Sequence, residues 1–130
     1  MHTDRQDGSR FEPMGPNTVG QLVYDANGRV SMQIMRADRP RFASGSRMGG
    51  TPEENKAAVQ GTISYFGRYA VNETERTVIH HIEGSLFPNW NGTGQKRFFT
   101  FTGDELKLSA PPIQSPDGPI VSHLVWKRAR

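Results

Sequence analysis

Two β-rich runs flank the tetrapeptide Asp25-Ala26-Asn27-Gly28 in VGQLVYDANGRVSMQIMR, and this punctuation constrains the fold more than any other feature of the chain. Asn27-Gly28 offers the positive φ that a tight antiparallel turn needs. The same grammar recurs downstream. Strand-like runs cover GRYAV, TVIHHIEGSL, QKRFFTFT, ELKLSA and IVSHLVWKR, separated by NETER, FPNWNGTG, Gly103-Asp104 and PPIQSPDGP. About seven short strands with regular turns predict a sandwich or an up-and-down barrel. Fourteen glycines and nine prolines fit that reading better than a helical bundle.

One helix is expected, over TPEENKAAVQGTISYF. Thr51 is a good N-cap, Pro52 suits the first helical position, and Glu54 three residues on completes a capping box. Val59, Ile63 and Phe66 fall on one apolar stripe at helical spacing. Residues 1–18, broken by Gly8, Pro13, Gly15 and Pro16, read as a flexible lead-in, which leaves 19–130 as a single domain. The segment ADRPRFASGSRMGG is long enough for a lid or binding loop.

A chain of 130 residues can bury one core without metal or disulfide support. It contains no cysteine, which removes disulfides, thiolate zinc sites and thiol nucleophiles and suits a reducing cytoplasm, the expected compartment. MHTDRQDGSR has no apolar signal region, and no run is apolar enough to span a bilayer, so no membrane partner is expected. The net charge of +3 is spread over WKRAR and over MRADRPRF, which contains Asp38. Both read as solvated surface rather than a nucleic-acid stripe. SGSRMGGT lacks phosphate-loop spacing and no dinucleotide fingerprint is present, so no cofactor is expected.

Alternation assigns the strand faces. In TVIHHIEGSL, His80, Ile82, Gly84 and Leu86 share one face, and Ile79, His81, Glu83 and Ser85 share the other. Two readings stand. Either the apolar face is core and the polar one meets water, or His81, Glu83 and Ser85 point into a cavity, where the carboxylate orients the imidazole and raises its pKa. Gly84 would let a ligand or another backbone approach closely. In RFFTFT, ELKLSA and the closing strand, apolar residues fall at least partly on both faces, as expected of barrel strands lining a cavity and packed outside.

VGQLVYDANGRVSMQIMRADRPRFASG, GTPEENKAAVQGTISYFGRYAV, HHIEGSLFPNW and LVWKR resemble, in order and spacing, the bacterial lipocalin-like domain family, relatives of the calycins. The resemblance runs from about Phe11 to Arg128. It implies an antiparallel β-barrel of roughly eight strands around a ligand cavity. The chain departs from the family pattern in lacking the usual N-terminal Gly-x-Trp strand. That predicts an open edge, with three remedies: an upstream gene start, coverage by the lead-in, or a homodimer.

Three functions compete on this scaffold. In the first, the barrel binds a small hydrophobic or amphipathic molecule, with Tyr65, Trp90, Phe99 and Trp126 near the cavity and Gln33, His81 and Glu83 orienting it. In the second, a cofactor-free isomerase, cyclase, dehydratase or lyase acts on a lipophilic metabolite. His81 is then the acid–base group, Glu83 its orienter, and Ser85 or Arg97 steadies negative charge. In the third, His81 and Glu83 join His123 around a metal, or a histidine ligates heme, but no spacing selects either group and no metal is expected. Binding of a small lipophilic ligand is the favoured reading.

Overall fold

The computed structural model describes residues 1–116 and 118–129. Asp117, in the turn expected over PPIQSPDGP, and Arg130, in the basic tail, lie outside the described residues. The strands are β1 (His2–Arg5), β2 (Arg10–Phe11), β3 (Thr18–Tyr24), β4 (Arg29–Arg36), β5 (Thr62–Asn72), β6 (Thr77–Ser85), β7 (Gly94–Thr102), β8 (Glu105–Ser109), β9 (Ile113–Ser115) and β10 (Gly118–Lys127). Helix α1 (Pro52–Gln60) joins β4 to β5, and a 3-10 turn over Pro88–Trp90 follows β6. All ladders are antiparallel, in the order β2-β1-β10-β8-β7-β6-β5-β4-β3, with β9 on β10.

The β3–β4 hairpin forms as its turn residues dictate. Gly28 takes φ +85°, and the Asp25 carboxylate accepts from the N–H groups of Asn27 and Arg29, both at 2.9 Å. The capping box is also present: Thr51 Oγ1 accepts from Glu54 N–H at 3.1 Å and Glu54 Oε1 accepts from Thr51 N–H at 2.8 Å.

The helix is shorter than expected. It ends at Gln60, and Gly61 closes it with its N–H on the Ala57 carbonyl at 2.9 Å. Thr62-Ile63 and Tyr65-Phe66 then follow strand preference and open β5. The supposed stripe is therefore dispersed. Val59 stays 57% exposed on the helix, Ile63 packs onto the barrel core, and Phe66 lies outside. GRYAV is the middle of β5, not a strand of its own.

Residues 1–18, expected as a flexible lead-in, carry β1 and β2 and place Met14 in the core. β1 pairs with β10 through His2↔His123 to Arg5↔Ile120. On its other side β10 pairs with β8 from His123 to Lys127. Among the described residues, β10 has no strand partner on the β1 side beyond His123. It faces β3 across a cleft of about 290 Å³ whose walls include Met1, Gly20, Ile34, Leu124 and Trp126. The structure is thus a lipocalin-like antiparallel barrel whose sheet stays unclosed along the β3/β10 seam.

The interior holds Val30, Met32 and Ile34 of β4, Tyr65 of β5, Val78, His80 and Ile82 of β6, and Leu108 of β8. A β-bulge between Phe66 and Gly67 sets the local twist of β5 on β6. A Cβ at Gly67 would run into the His81 carbonyl oxygen, so only glycine fits there. Gly67→Ala should therefore destabilise the fold by about 1–3 kcal/mol, as forced overpacking does. Gly94→Ala, whose Cβ would meet its nearest neighbour at 3.4 Å, should change stability far less. Paired urea-unfolding curves check the contrast.

Candidate ligand-binding site

Alternation along β6 puts Val78, His80 and Ile82 inside and Ile79, His81 and Glu83 outside. His80 is fully buried, at 0% exposure. Its Nε2 is 2.6 Å from the Tyr24 hydroxyl of β3, and its Nδ1 is 2.5 Å from the Tyr65 hydroxyl of β5. Three strands thus converge on one imidazole. Burial pushes His80 down to about 4, with the nearby Arg97 cation adding to the effect. Burial also pushes the Tyr65 phenol up to about 12 and raises that of Tyr24, against an opposing pull from Arg97. All three groups are neutral at pH 7.

Neutrality fixes the arithmetic of the hydrogen bonds. A neutral imidazole offers one N–H and one lone pair. One tyrosine must donate to His80 and the other must accept from it. The accepting phenol keeps its own O–H, so the trio has one donor left for something else.

Arg97 of β7 sits among these groups. Its guanidinium donates to the Lys96 carbonyl at 2.8 Å and more distantly to Gln95 Oε1 at 3.5 Å. Among the described residues no carboxylate forms a salt bridge with it. Burial lowers its pKa, while Tyr65 and Tyr24 pull it back up. A further unspent donor is the Trp126 indole Nε1, which is buried without a hydrogen-bond partner among the described residues. A buried unpaired donor costs roughly 1–3 kcal/mol, which a ligand acceptor would recover.

The space beside these groups is apolar. Tyr24, Tyr69, Val71, Val78, Phe99 and Leu108 are among the walls of a chamber of about 190 Å³. Tyr69 stacks edge-on to Tyr24 at 4.8 Å, and its hydroxyl donates to the Asp25 carbonyl at 2.7 Å. The chamber shares Tyr24, Phe101 and Leu106 with a cleft of about 470 Å³ that runs along the seam to Trp126. The unclosed seam and the chamber are therefore continuous in their walls.

Of the residues singled out from sequence, Tyr65, Arg97, Phe99 and Trp126 face this interior. Trp90 packs edge-on against Tyr65 at 6.1 Å. Gln33, His81 and Glu83 do not join them, and the register shift at the bulge turns Ser85 to the face of Tyr65, away from that of His81 and Glu83. Gln33 is outside, donating to Ser31 Oγ at 2.9 Å. His81 is exposed on the outer face. Glu83 is held there by Arg29 at 3.3 Å and Arg68 at 3.5 Å. Ser85 lies opposite Tyr65 in the ladder, with its hydroxyl accepting from Phe87 N–H at 3.1 Å. Gly84 admits the Phe66 ring rather than a ligand.

The acid–base pair expected of His81 and Glu83 is thereby corrected: it is an outer strip with surface ion pairs, which contribute little. A joint metal site with His123 is corrected too, because β7 and β8 separate β6 from β10. His80 and Tyr24 are the site residues that pattern reading missed. The available signal was a lone histidine on the apolar face of its strand.

The depressed His80 pKa has a sign. Between pH 6.5 and about 4 the unfolded chain binds a proton that the folded chain refuses. Stability is therefore intact above pH 6.5 and falls as pH drops through this window, by on the order of 3 kcal/mol for a group so buried. Urea midpoints measured from pH 7 to pH 4 should fall steeply in the native protein. The His80→Gln variant should show a flatter profile.

Comparison with known proteins places this geometry. Residues 1–129 match the lipocalin-like domain family. The chain is also similar to the 4'-hydroxy-3'-methoxypropiophenone carrier protein ppsC of Aspergillus oryzae (strain ATCC 42149 / RIB 40). The identity is 37% over 106 residues, covering 76% of this chain and 96% of that protein. With a match across almost its full length and an antiparallel barrel around an apolar chamber, this chain belongs to the lipocalin-like domain family.

Proposed function

We propose that this protein binds and carries a small amphipathic molecule, an aromatic ring bearing a carbonyl or phenolic oxygen, in the chamber and the adjoining seam. The observation that carries this reading is a set of donors left over among the described residues: one phenolic O–H of the Tyr24–His80–Tyr65 trio, whose Tyr24 lines both chamber and seam, the Trp126 indole N–H in the wall of the seam, and the largely buried Arg97 guanidinium with no salt-bridged carboxylate. Oxygen acceptors satisfy all three, and Tyr24, Tyr69, Phe99 and Phe101 suit a flat ring. The family match and the similarity to a carrier protein support small-molecule binding. That relative is named for an aryl ketone with hydroxyl and methoxyl groups, which is the same chemistry. Both nitrogens of His80 are engaged by tyrosines, which favours holding a ligand over moving its protons.

Calorimetric titration with 4'-hydroxy-3'-methoxypropiophenone is the test, with simpler hydroxyphenyl ketones beside it. Arg97→Met and Tyr24→Phe should each weaken binding by roughly ten- to a hundredfold, the worth of a hydrogen bond that involves a charged or buried group. His81→Ala and Glu83→Ala should leave it unchanged. Loss of binding on the outer substitutions, with the inner ones neutral, would overturn the assignment.

A further inference from the structure

A second cluster lies on the outer face where β1 meets β10, away from the chamber. His2 stands opposite His123 in the ladder, and Asp4, two residues along β1, shares the face of His2. On the far side of β10, His123 stands opposite Ser109 of β8. The His2 and His123 rings are 4.8 Å apart between centroids, and His123 Nε2 is 3.1 Å from Asp4 Oδ2. One donor atom each from His2, Asp4 and His123 lies within 4.8 Å of the others.

A hydrogen bond from His123 to Asp4 would satisfy those two groups alone. It leaves His2 Nε2, which is buried and has no hydrogen-bond partner among the described residues. Meanwhile Ser109 Oγ sits 2.7 Å from His123 Nδ1. If that hydroxyl accepts from Nδ1–H, the Nε2 lone pair is aimed at the cluster, the arrangement by which outer partners orient metal-bound imidazoles. We propose that His2, His123 and Asp4 form a binding site for a divalent transition-metal ion of the zinc class. Two imidazoles and one carboxylate are a donor set that zinc accepts, with water completing the shell.

Small side-chain rotations suffice to close the three atoms onto one ion. The ion would fasten the four-residue β1 to β10 beside the open seam. Arg10 opposes it, since its Nε holds Asp4 Oδ1 at 2.9 Å and its charge repels a cation. Its side chain is 60% exposed, so it can swing into water.

Tag-free protein titrated with zinc chloride in a calorimeter should take up one equivalent, with a dissociation constant of about 10 μM or below, and zinc should raise Tm by several degrees. His2→Gln and Asp4→Asn should each weaken uptake by about tenfold or more, and Arg10→Ala should strengthen it. In the native protein, cobalt(II) should broaden the ring resonances of His2 and His123 and spare those of His80 and His81. That readout stands even if a variant fails to fold. No zinc uptake up to about 1 mM by the folded native protein would overturn the site. So would uptake that broadens His80 or His81 instead, or that folded His2→Gln and Asp4→Asn proteins retain in full.

Discussion

The interior of this barrel is organised around a single buried imidazole. His80 bonds through one ring nitrogen to a phenol on β3 and through the other to a phenol on β5. Removing such a ring from water is tolerable only because both nitrogens are engaged and the group stays neutral. The registers obey this demand. The face of β6 that carries His80 also carries Val78 and Ile82, so keeping the imidazole inside commits the alternate face, with His81 and Glu83, to the outside. The bulge at Phe66/Gly67 then adjusts β5 against β6 close to Tyr65.

The same constraint shapes what the cavity can recognise. Three neutral, mutually bonded groups leave a fixed surplus of one donor. Among the described residues, Arg97 adds a charge without a salt-bridged carboxylate and Trp126 adds an N–H without a hydrogen-bond partner. In the proposed binding role, an apolar chamber with these few donors near it would discriminate by where a ligand puts its oxygens, because any ligand lacking them would leave buried donors bare. The seam between β3 and β10 gives this chamber its way out, and β1, laid along only part of β10, determines how much of that seam is open.

Much of the architecture was legible in the residues. Asn27-Gly28, the Thr51 to Glu54 box and the alternating runs each encode a local structure that forms with little help from the rest of the chain. Local signals mislead where long-range pairing decides between helix and strand. After Gly61, Ile63 and Phe66 fit a helical stripe but fall on opposite faces of a strand, and long-range pairing of β5 with β4 and β6 decided it. The lead-in, rich in breakers, has no local preference, and β10 supplies the partner that makes His2–Arg5 a strand. The polar strip of β6 looked like chemistry because His and Glu at alternate positions resemble an acid–base pair. The histidine that matters sat among aliphatics, where pattern reading defaults to core. Its partners, Tyr24 and Tyr65, lie 56 and 15 residues away, and become neighbours only through the pairing of β5 with β6 and the curvature that brings β3 across the interior.

The most direct test of this account is a nitrogen-15 spectrum of the four histidine rings, recorded before and after adding a hydroxyphenyl ketone. The account predicts a His80 ring that is neutral and in a single tautomer at pH 6, whose resonances shift when the ketone binds, while those of His81 stay in place. A ketone that binds and moves His81 but not His80 would contradict it and return the site to the outer face of β6.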